Sequence, residues 1–351
     1  MRWDGIHIGA AAAALGRPEA TADAVAAGRY EADRNEAEGY LAVRVADQGP
    51  TVELAVDAAN LALRRCGLPP ELFGMVIHSC VSHQGLDHFA PASYVQRRTI
   101  GGSATALEVR QASGGGLASI EMAAAYLTAK PEPPAVLVTT ADRFVPPAYD
   151  RYHTDGGLLF SDGATAMVLS RQPGVARLLS SSLIGDTTHG GLYDGNAPWT
   201  EAPGAGGWPV ELGPRSSAHV ERLGGPEAFI DIVRSLDYAQ QETVRVAVED
   251  AGLAVADIDW WVFPNVGQTL VDWETYKAMG IDQSRTIWDE WGRYIGHLGA
   301  GDQLAGLAYL FETKRVRIGD RVLLNGAGQG FTFASIVLEI TGVPDWSRSS
   351  Y

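Results

Sequence analysis

The chain has 351 residues, 46% of them hydrophobic and 20% charged, an ordinary globular composition large enough for one big core or two fused ones. A formal charge of −15 argues against a nucleic-acid partner, whose phosphates require a basic face, and disfavours anionic membrane surfaces. No stretch resembles a transmembrane span, no secretory signal is visible, and Cys66 with Cys80 is too few for a disulfide framework, so a reduced cytoplasmic protein is expected.

In chain order, strands alternate with helices, which reads as α/β. Residues 10–50, rich in Ala, Gly and acidic residues, look like an excursion near the first strand. Residues 51–66 have a helical apolar period that Gly67, Pro69 and Pro70 stop. Met75 to Ser79 reads as a short buried strand, residues 115–128 as a helix of small residues, and Ala135–Thr139 and Ala166–Leu169 as strands. The second half replays this order at an offset of about 185 residues: Gly252-Leu253 answers Gly67-Leu68, Trp260–Phe263 answers Met75–His78, and Val322–Leu324 answers Val136–Val138. The offset predicts two copies of one α/β unit, residues 1–185 and 227–351. Between them, residues 186–226 carry many Gly and Pro with two Trp, either a binding loop or a plain linker.

Four segments carry chemistry. Glu108-Val-Arg-Gln-Ala-Ser113-Gly-Gly-Gly runs from a strand into the small-residue helix. A helix start offers unpaired N–H groups and partial positive charge to an oxyanion, but a serine hydroxyl needs a base to become a nucleophile. Taken alone, Ser113 reads more readily as an N-cap than as a nucleophile. The repeat offset carries position 113 to the neighbourhood of His297, in Gly-His-Leu-Gly-Ala-Gly-Asp302. Two equivalent helix starts face one another in a pseudo-twofold fold, which would set a hydroxyl against an imidazole. Asp302, five residues on, is the candidate orienter, giving Ser113, His297 and Asp302 the roles of nucleophile, base and orienter. In Phe-Pro-Asn265, the amide either donates to a thioester or enolate oxygen or merely closes a turn. Asn325-Gly-Ala-Gly-Gln329-Gly-Phe-Thr332 is a strand and glycine turn with no helix after it, so it is no nucleotide loop, but a backbone N–H there would complete an oxyanion hole. His83 and His88 lack the company that metal binding requires, and no metal or cofactor is expected. His189 is a candidate for the wall of a substrate channel.

Ala-Ser113-Gly-Gly, Phe-Ser161-Asp-Gly-Ala, Phe-Pro-Asn265, Gly-His297 and Gly-Gln-Gly-Phe-Thr332 occur in the order and spacing of β-ketoacyl-[acyl-carrier-protein] synthase III, which the chain resembles from about residue 51 to 340. The resemblance implies a five-layered αβαβα thiolase fold, a homodimer and a narrow tunnel for a phosphopantetheine arm. The family uses Cys, His and Asn where this chain presents Ser113, Asn265 and His297, so the nucleophile has become an alcohol and the other two have changed places. The family's adenine-sandwiching tryptophan and arginine have no counterpart, with Thr154 near the arginine's place. Arg234 falls near a basic residue at the family's tunnel mouth, or is a solvated helix charge. A His-x4-Asp pattern resembles a branch from antibiotic gene clusters that moves acyl groups onto hydroxyls or selects polyketide starters. The expectation is therefore acyl transfer from a coenzyme A or acyl-carrier-protein thioester through acyl-Ser113, with the backbone N–H groups of Ser113 and Gln329 as oxyanion hole, to a small hydroxyl or amine acceptor. Carbon–carbon bond formation by starter selection and a non-catalytic partner subunit are the alternatives.

Overall fold

The computed structural model of the chain describes residues 1–195 and 197–346. The first half runs β1 (His7–Leu15), β2 (Arg17–Ala20), α1 (Thr21–Ala26), α2 (Ala32–Glu38), β3 (Ala42–Val45), α3 (Thr51–Cys66), β4 (Phe73–Ser79), α4 (Pro91–Arg98), β5 (Thr105–Val109), α5 (Gly115–Ala129), β6 (Ala135–Asp142) and β7 (Gly163–Ser170). The second runs β8 (Ala176–Gly185), α6 (Gly191–Asp194), α7 (Gly213–Arg222), α8 (Pro226–Asp250), β9 (Trp260–Val262), α9 (Trp273–Ala278), α10 (Asp302–Glu312), β10 (Arg321–Gly328) and β11 (Thr332–Ile340).

The strands hydrogen-bond in the order β5-β4-β6-β7-β1-β8-β11-β10-β9. Only His7–Arg177 and Ile8–Ala176 pair β1 with β8, so two mixed sheets meet at a narrow seam. Helices α3 and α4 cover the outer face of the first sheet, α8 covers the second, and α5 and α10 pack between the sheets against strands of both. This is the five-layered thiolase fold of two duplicated halves. Because β8 pairs with β11 from Ala176 onward, the second sheet begins at residue 176, inside the segment 1–185 expected to form the first half.

Local chemistry explains most elements. Helix α3 has Glu53 in its first turn and Arg64 and Arg65 in its last, which complement the helix dipole, and left-handed Gly67 ends it. Strand β1 is the exception, since His-Ile-Gly-Ala-Ala-Ala-Ala-Ala-Leu has little β propensity. Residues 10–15 were read with the N-terminal excursion, yet they lie in mid-sheet with α3 on one face and α10 on the other. Alanines there let two helices approach a strand from both sides. The excursion proper is the β2–β3 ribbon with α1 and α2.

The central layer is tightest where α5 and α10 begin. A Cβ on Gly116 would collide with the Ala300 carbonyl oxygen and come within 3.0 Å of Leu304 Cδ1, so glycine is required for the two starts to touch. Gly116→Val is expected to destabilise the fold by about 1–3 kcal/mol through overpacking. A lower denaturant midpoint relative to the native chain, read by far-UV circular dichroism, checks it.

Candidate active site

The β5–α5 connection delivers the serine. Ala112 holds a left-handed φ of 43°, a conformation that costs a non-glycine residue about 1 kcal/mol and here turns the chain so that Ser113 starts the helical region. Ser113 is half-buried, and its Oγ lies 2.7 Å from His297 Nε2. The imidazole is 3% exposed, and its Nδ1 lies 2.6 Å from Asp302 Oδ2. Asp302 is the first residue of α10, and a 3-10 turn at Gly299–Gly301 separates it from His297. That turn shortens the five-residue reach that a regular helix would have spoiled.

The segment before β7 holds the His297 backbone in place. His297 N–H donates to Leu159 O and Ser161 N–H donates to His297 O, both at 2.8 Å, so Phe160 bridges to His297 like a strand. Ser161 Oγ donates to Ile295 O at 2.5 Å, and Asp162 pairs with Arg151 at 3.1 Å. Asp302 Oδ1 accepts from Leu298 N–H at 2.7 Å, and Oδ2 also accepts from Asn265 N–H at 2.9 Å. The Asn265 side-chain amide donates to Gly296 O at 3.1 Å and points its remaining hydrogen toward Asp302 Oδ1 at 3.5 Å. Of the two readings of Asn265, these bonds favour the structural one, with the amide holding Asp302 and the His297 segment.

Asp142, at the end of β6, was missed in the sequence. It is fully buried, with Oδ1 accepting from Val81 and Ser82 N–H at 2.7 and 2.6 Å and Oδ2 accepting from Ala300 N–H at 3.1 Å. One carboxylate thus ties the loop after β4 to the turn carrying His297. Burial pushes its pKa up to about 6 despite these donors. For His297, burial opposes the charged form. The charge and hydrogen bond of Asp302, with Asp142 and Asp155 beyond, outweigh it and raise the imidazole pKa above its usual 6.5.

Ser113 and His297 open into a cavity of about 340 Å³ whose walls include Tyr149, Phe160, Tyr193, Trp288 and Phe331. Gln329 lines it too, its carbonyl accepting from Gln111 Nε2 at 3.2 Å, which draws the β10–β11 turn over the Ser113 loop. Tyr193, Val210, Leu212 and Arg215 come from the 186–226 stretch, which therefore contributes a wall. His189 does not line the cavity. It sits in the turn before α6 with its ring 5.9 Å from that of His219, because the segment folds back on α7. Arg234 is likewise outside, exposed on α8 and paired with Asp231 at 3.6 Å. Gln240 of the same helix reaches the cavity, and six residues place it about 240° around the axis from Arg234. Among the described residues, no three His, Cys, Asp or Glu converge to hold a metal ion. None of the helices described is long and apolar enough to cross a membrane.

The line from Ser113 through His297 to Asp302 thus joins the two helix starts of the thiolase fold. Residues 107–187 match the family model described as 3-oxoacyl-[acyl-carrier-protein (ACP)] synthase III, and residues 248–340 match its C-terminal model. Beta-ketoacyl-[acyl-carrier-protein] synthase III of Rhizorhabdus wittichii is 28% identical over 302 residues, 84% of this chain and 86% of that protein. The 3-oxopimeloyl-[acyl-carrier-protein] synthase of Rhodothermus marinus is 27% identical over 295 residues, 82% of this chain and 79% of its own length. Among solved structures, ChlB3, described as an acyltransferase, superposes with a TM-score of 0.90 at 32% identity, covering 97% of this chain and 99% of its own. The synthase III (FabH) of Xanthomonas oryzae superposes with a TM-score of 0.75 at 20% identity over 97% of this chain and 100% of its own, a likeness of fold. The chain belongs to the β-ketoacyl-[acyl-carrier-protein] synthase III-like family of enzymes.

The raised His297 pKa has a direction that can be measured. The neutral imidazole is lost as pH falls through a value above 6.5. Asp302→Asn removes the largest raising influence, so the His297 pKa is expected to fall below that of the native protein. Titration of the His297 ring resonances by NMR in both proteins checks the sign.

Proposed function

We propose that this enzyme is an acyltransferase that carries its acyl group on Ser113. The observation that supports the reading is the relay of 2.7 Å from Ser113 Oγ to His297 Nε2 and 2.6 Å from Nδ1 to Asp302 Oδ2. In the first half-reaction His297 Nε2 takes the hydroxyl proton as Oγ attacks the thioester carbonyl, and Asp302 holds Nδ1–H and balances the imidazolium. The tetrahedral oxyanion sits at the start of α5, where the backbone N–H groups of Ser113 and Gln329 are the proposed donors, each worth about 3 kcal/mol in the transition state. Collapse breaks the C–S bond, the thiolate takes the proton from His297, and an acyl-serine ester remains. In the second half-reaction His297 deprotonates an acceptor hydroxyl or amine, whose oxygen or nitrogen attacks the ester. The bond to Ser113 Oγ breaks, and the proton returns to that oxygen. The donor is a coenzyme A or acyl-carrier-protein thioester, and the acyl carrier protein stands in the names of the synthase III relatives.

Two features favour acyl transfer over decarboxylative condensation. A condensing site needs two N–H donors converging on an enolate oxygen. The Asn265 amide is committed to Gly296 O and Asp302, and His297 is engaged by the serine and by Asp302. The likeness to ChlB3, described as an acyltransferase, agrees with this. A non-catalytic partner subunit has no use for an oriented imidazole against a serine hydroxyl. Biosynthesis of an antibiotic or polyketide, with a homodimer in the cytoplasm as the working form, completes the proposal.

Brief incubation with short acyl-coenzyme A and acyl-carrier-protein thioesters should add one acyl mass to the native protein and none to Ser113→Ala, read by intact-protein mass spectrometry. His297→Ala should slow that acylation by a factor of roughly 10³ or more. Native protein that stays unmodified with every donor would contradict the acyl-serine route.

A further inference from the structure

Two turns at one wall of the cavity are bonded to each other and leave one polar atom apiece without a partner. Gly267 N–H donates to Gly157 O at 2.8 Å, and buried Tyr40 Oη bonds to Asn265 O at 2.9 Å and Gly157 O at 3.3 Å. This lacing sets Asp155 and Gln268 on adjoining turns, and both line the cavity that holds Ser113 and His297. Asp155 Oδ1 accepts from Gly156 N–H at 2.8 Å, and no other hydrogen bond reaches this carboxylate among the described residues. Trp273 Nε1 donates to Gln268 Oε1 at 2.8 Å, which fixes the rotation of the amide. Gln268 Nε2 is then a buried donor with no partner among the described residues. Leaving a buried donor such as Gln268 Nε2 unpaired is costly, and a ligand that accepts from it removes that cost, while half-buried Asp155 offers an open acceptor on the adjoining turn.

One free acceptor beside one free, oriented donor is the complement of a hydroxyl, which both donates and accepts. An ammonium group satisfies Asp155 but cannot accept from Gln268. A carboxylate satisfies Gln268 but is repelled by Asp155. Tyr193, Trp273 and Trp288 add flat apolar surface beside these groups, suited to a saturated ring.

Building on the acyltransferase reading, we propose that Asp155 and Gln268 form an acceptor subsite for an alcohol bearing a second hydroxyl beside the one acylated, as in a vicinal diol on a ring. The second hydroxyl donates to Asp155 Oδ2 and accepts from Gln268 Nε2, leaving its neighbour free to meet His297 and the acyl-serine. Asp155 and Gln268 thus determine acceptor specificity.

The test uses Ser113→Ala protein, so that binding is read apart from chemistry. Ligand-observed NMR titrations with trans-1,2-cyclohexanediol and with cyclohexanol give the preference for the second hydroxyl. The diol is expected to bind about fivefold more tightly. Adding Asp155→Ala, or Gln268→Glu, which keeps an acceptor for Trp273, should bring that ratio to near one. Equal binding in the parent, or a preference that survives both substitutions, overturns the subsite. Acylation of the Ser113-containing native protein is scored separately. Its absence removes the acyl-serine reading, while the titrations still decide what Asp155 and Gln268 recognise.

Discussion

The site depends on the approach of two helix starts. Helices α5 and α10 occupy the layer shared by both sheets, and glycine allows Gly116 to lie on the Ala300 carbonyl. Nothing larger fits, so the first residues of the two helices are held at fixed separation. Asp302 in the first turn of α10 lies where the positive end of that helix favours a carboxylate. The hydrogen bond between Ser113 and His297 joins residues from the two halves of the molecule, and it forms because the backbones are already in place.

Buried carboxylates do the fine positioning. Asp302, Asp142 and Asp162 are each shielded from water and each take backbone N–H donors from separate segments. An ion in such surroundings is tolerable only with partners, so each carboxylate locks the loops that solvate it. Asp142 locks the loop after β4 to Ala300, Asp162 locks Phe144 and Arg151, and Asp302 locks Leu298, Asn265 and His297. On the proposed acyl-serine route this hold matters, because serine is a poorer nucleophile than a cysteine thiol, which ionises more readily.

Helix α3, the repeated strand order and the pairing of Ser113 with His297 were readable in the chain because each leaves a local mark: an apolar period, a constant offset, or glycines flanking a polar residue. Strand β1 left none, since an alanine run has no preference for a strand, and helices on both faces decide its conformation. Asp142 and Asp155 were invisible for another reason. An aspartate after an apolar strand or inside Thr-Asp-Gly-Gly resembles a surface turn, and only long-range packing shows that the first is buried and the second lines a cavity. His189 and Arg234 fail as cavity residues because side-chain direction depends on helix phase and on how a Gly-rich loop folds back.

By itself, then, the sequence determined the α/β duplication, the family resemblance and the identities of a hydroxyl, an imidazole and a carboxylate at equivalent helix starts. Periodicity and spacing are properties of the chain, and they survive without knowledge of its path. The tertiary structure decided that the Asn265 amide bonds to Gly296 O and Asp302, that Asp142 bridges two loops, and that Asp155 lines the cavity with one oxygen unshared among the described residues. Those outcomes depend on which distant backbone groups meet each polar atom. A hydrogen-bond partner 30 or more residues away, as Asp302 is for Asn265, is chosen by packing and leaves no local pattern to read.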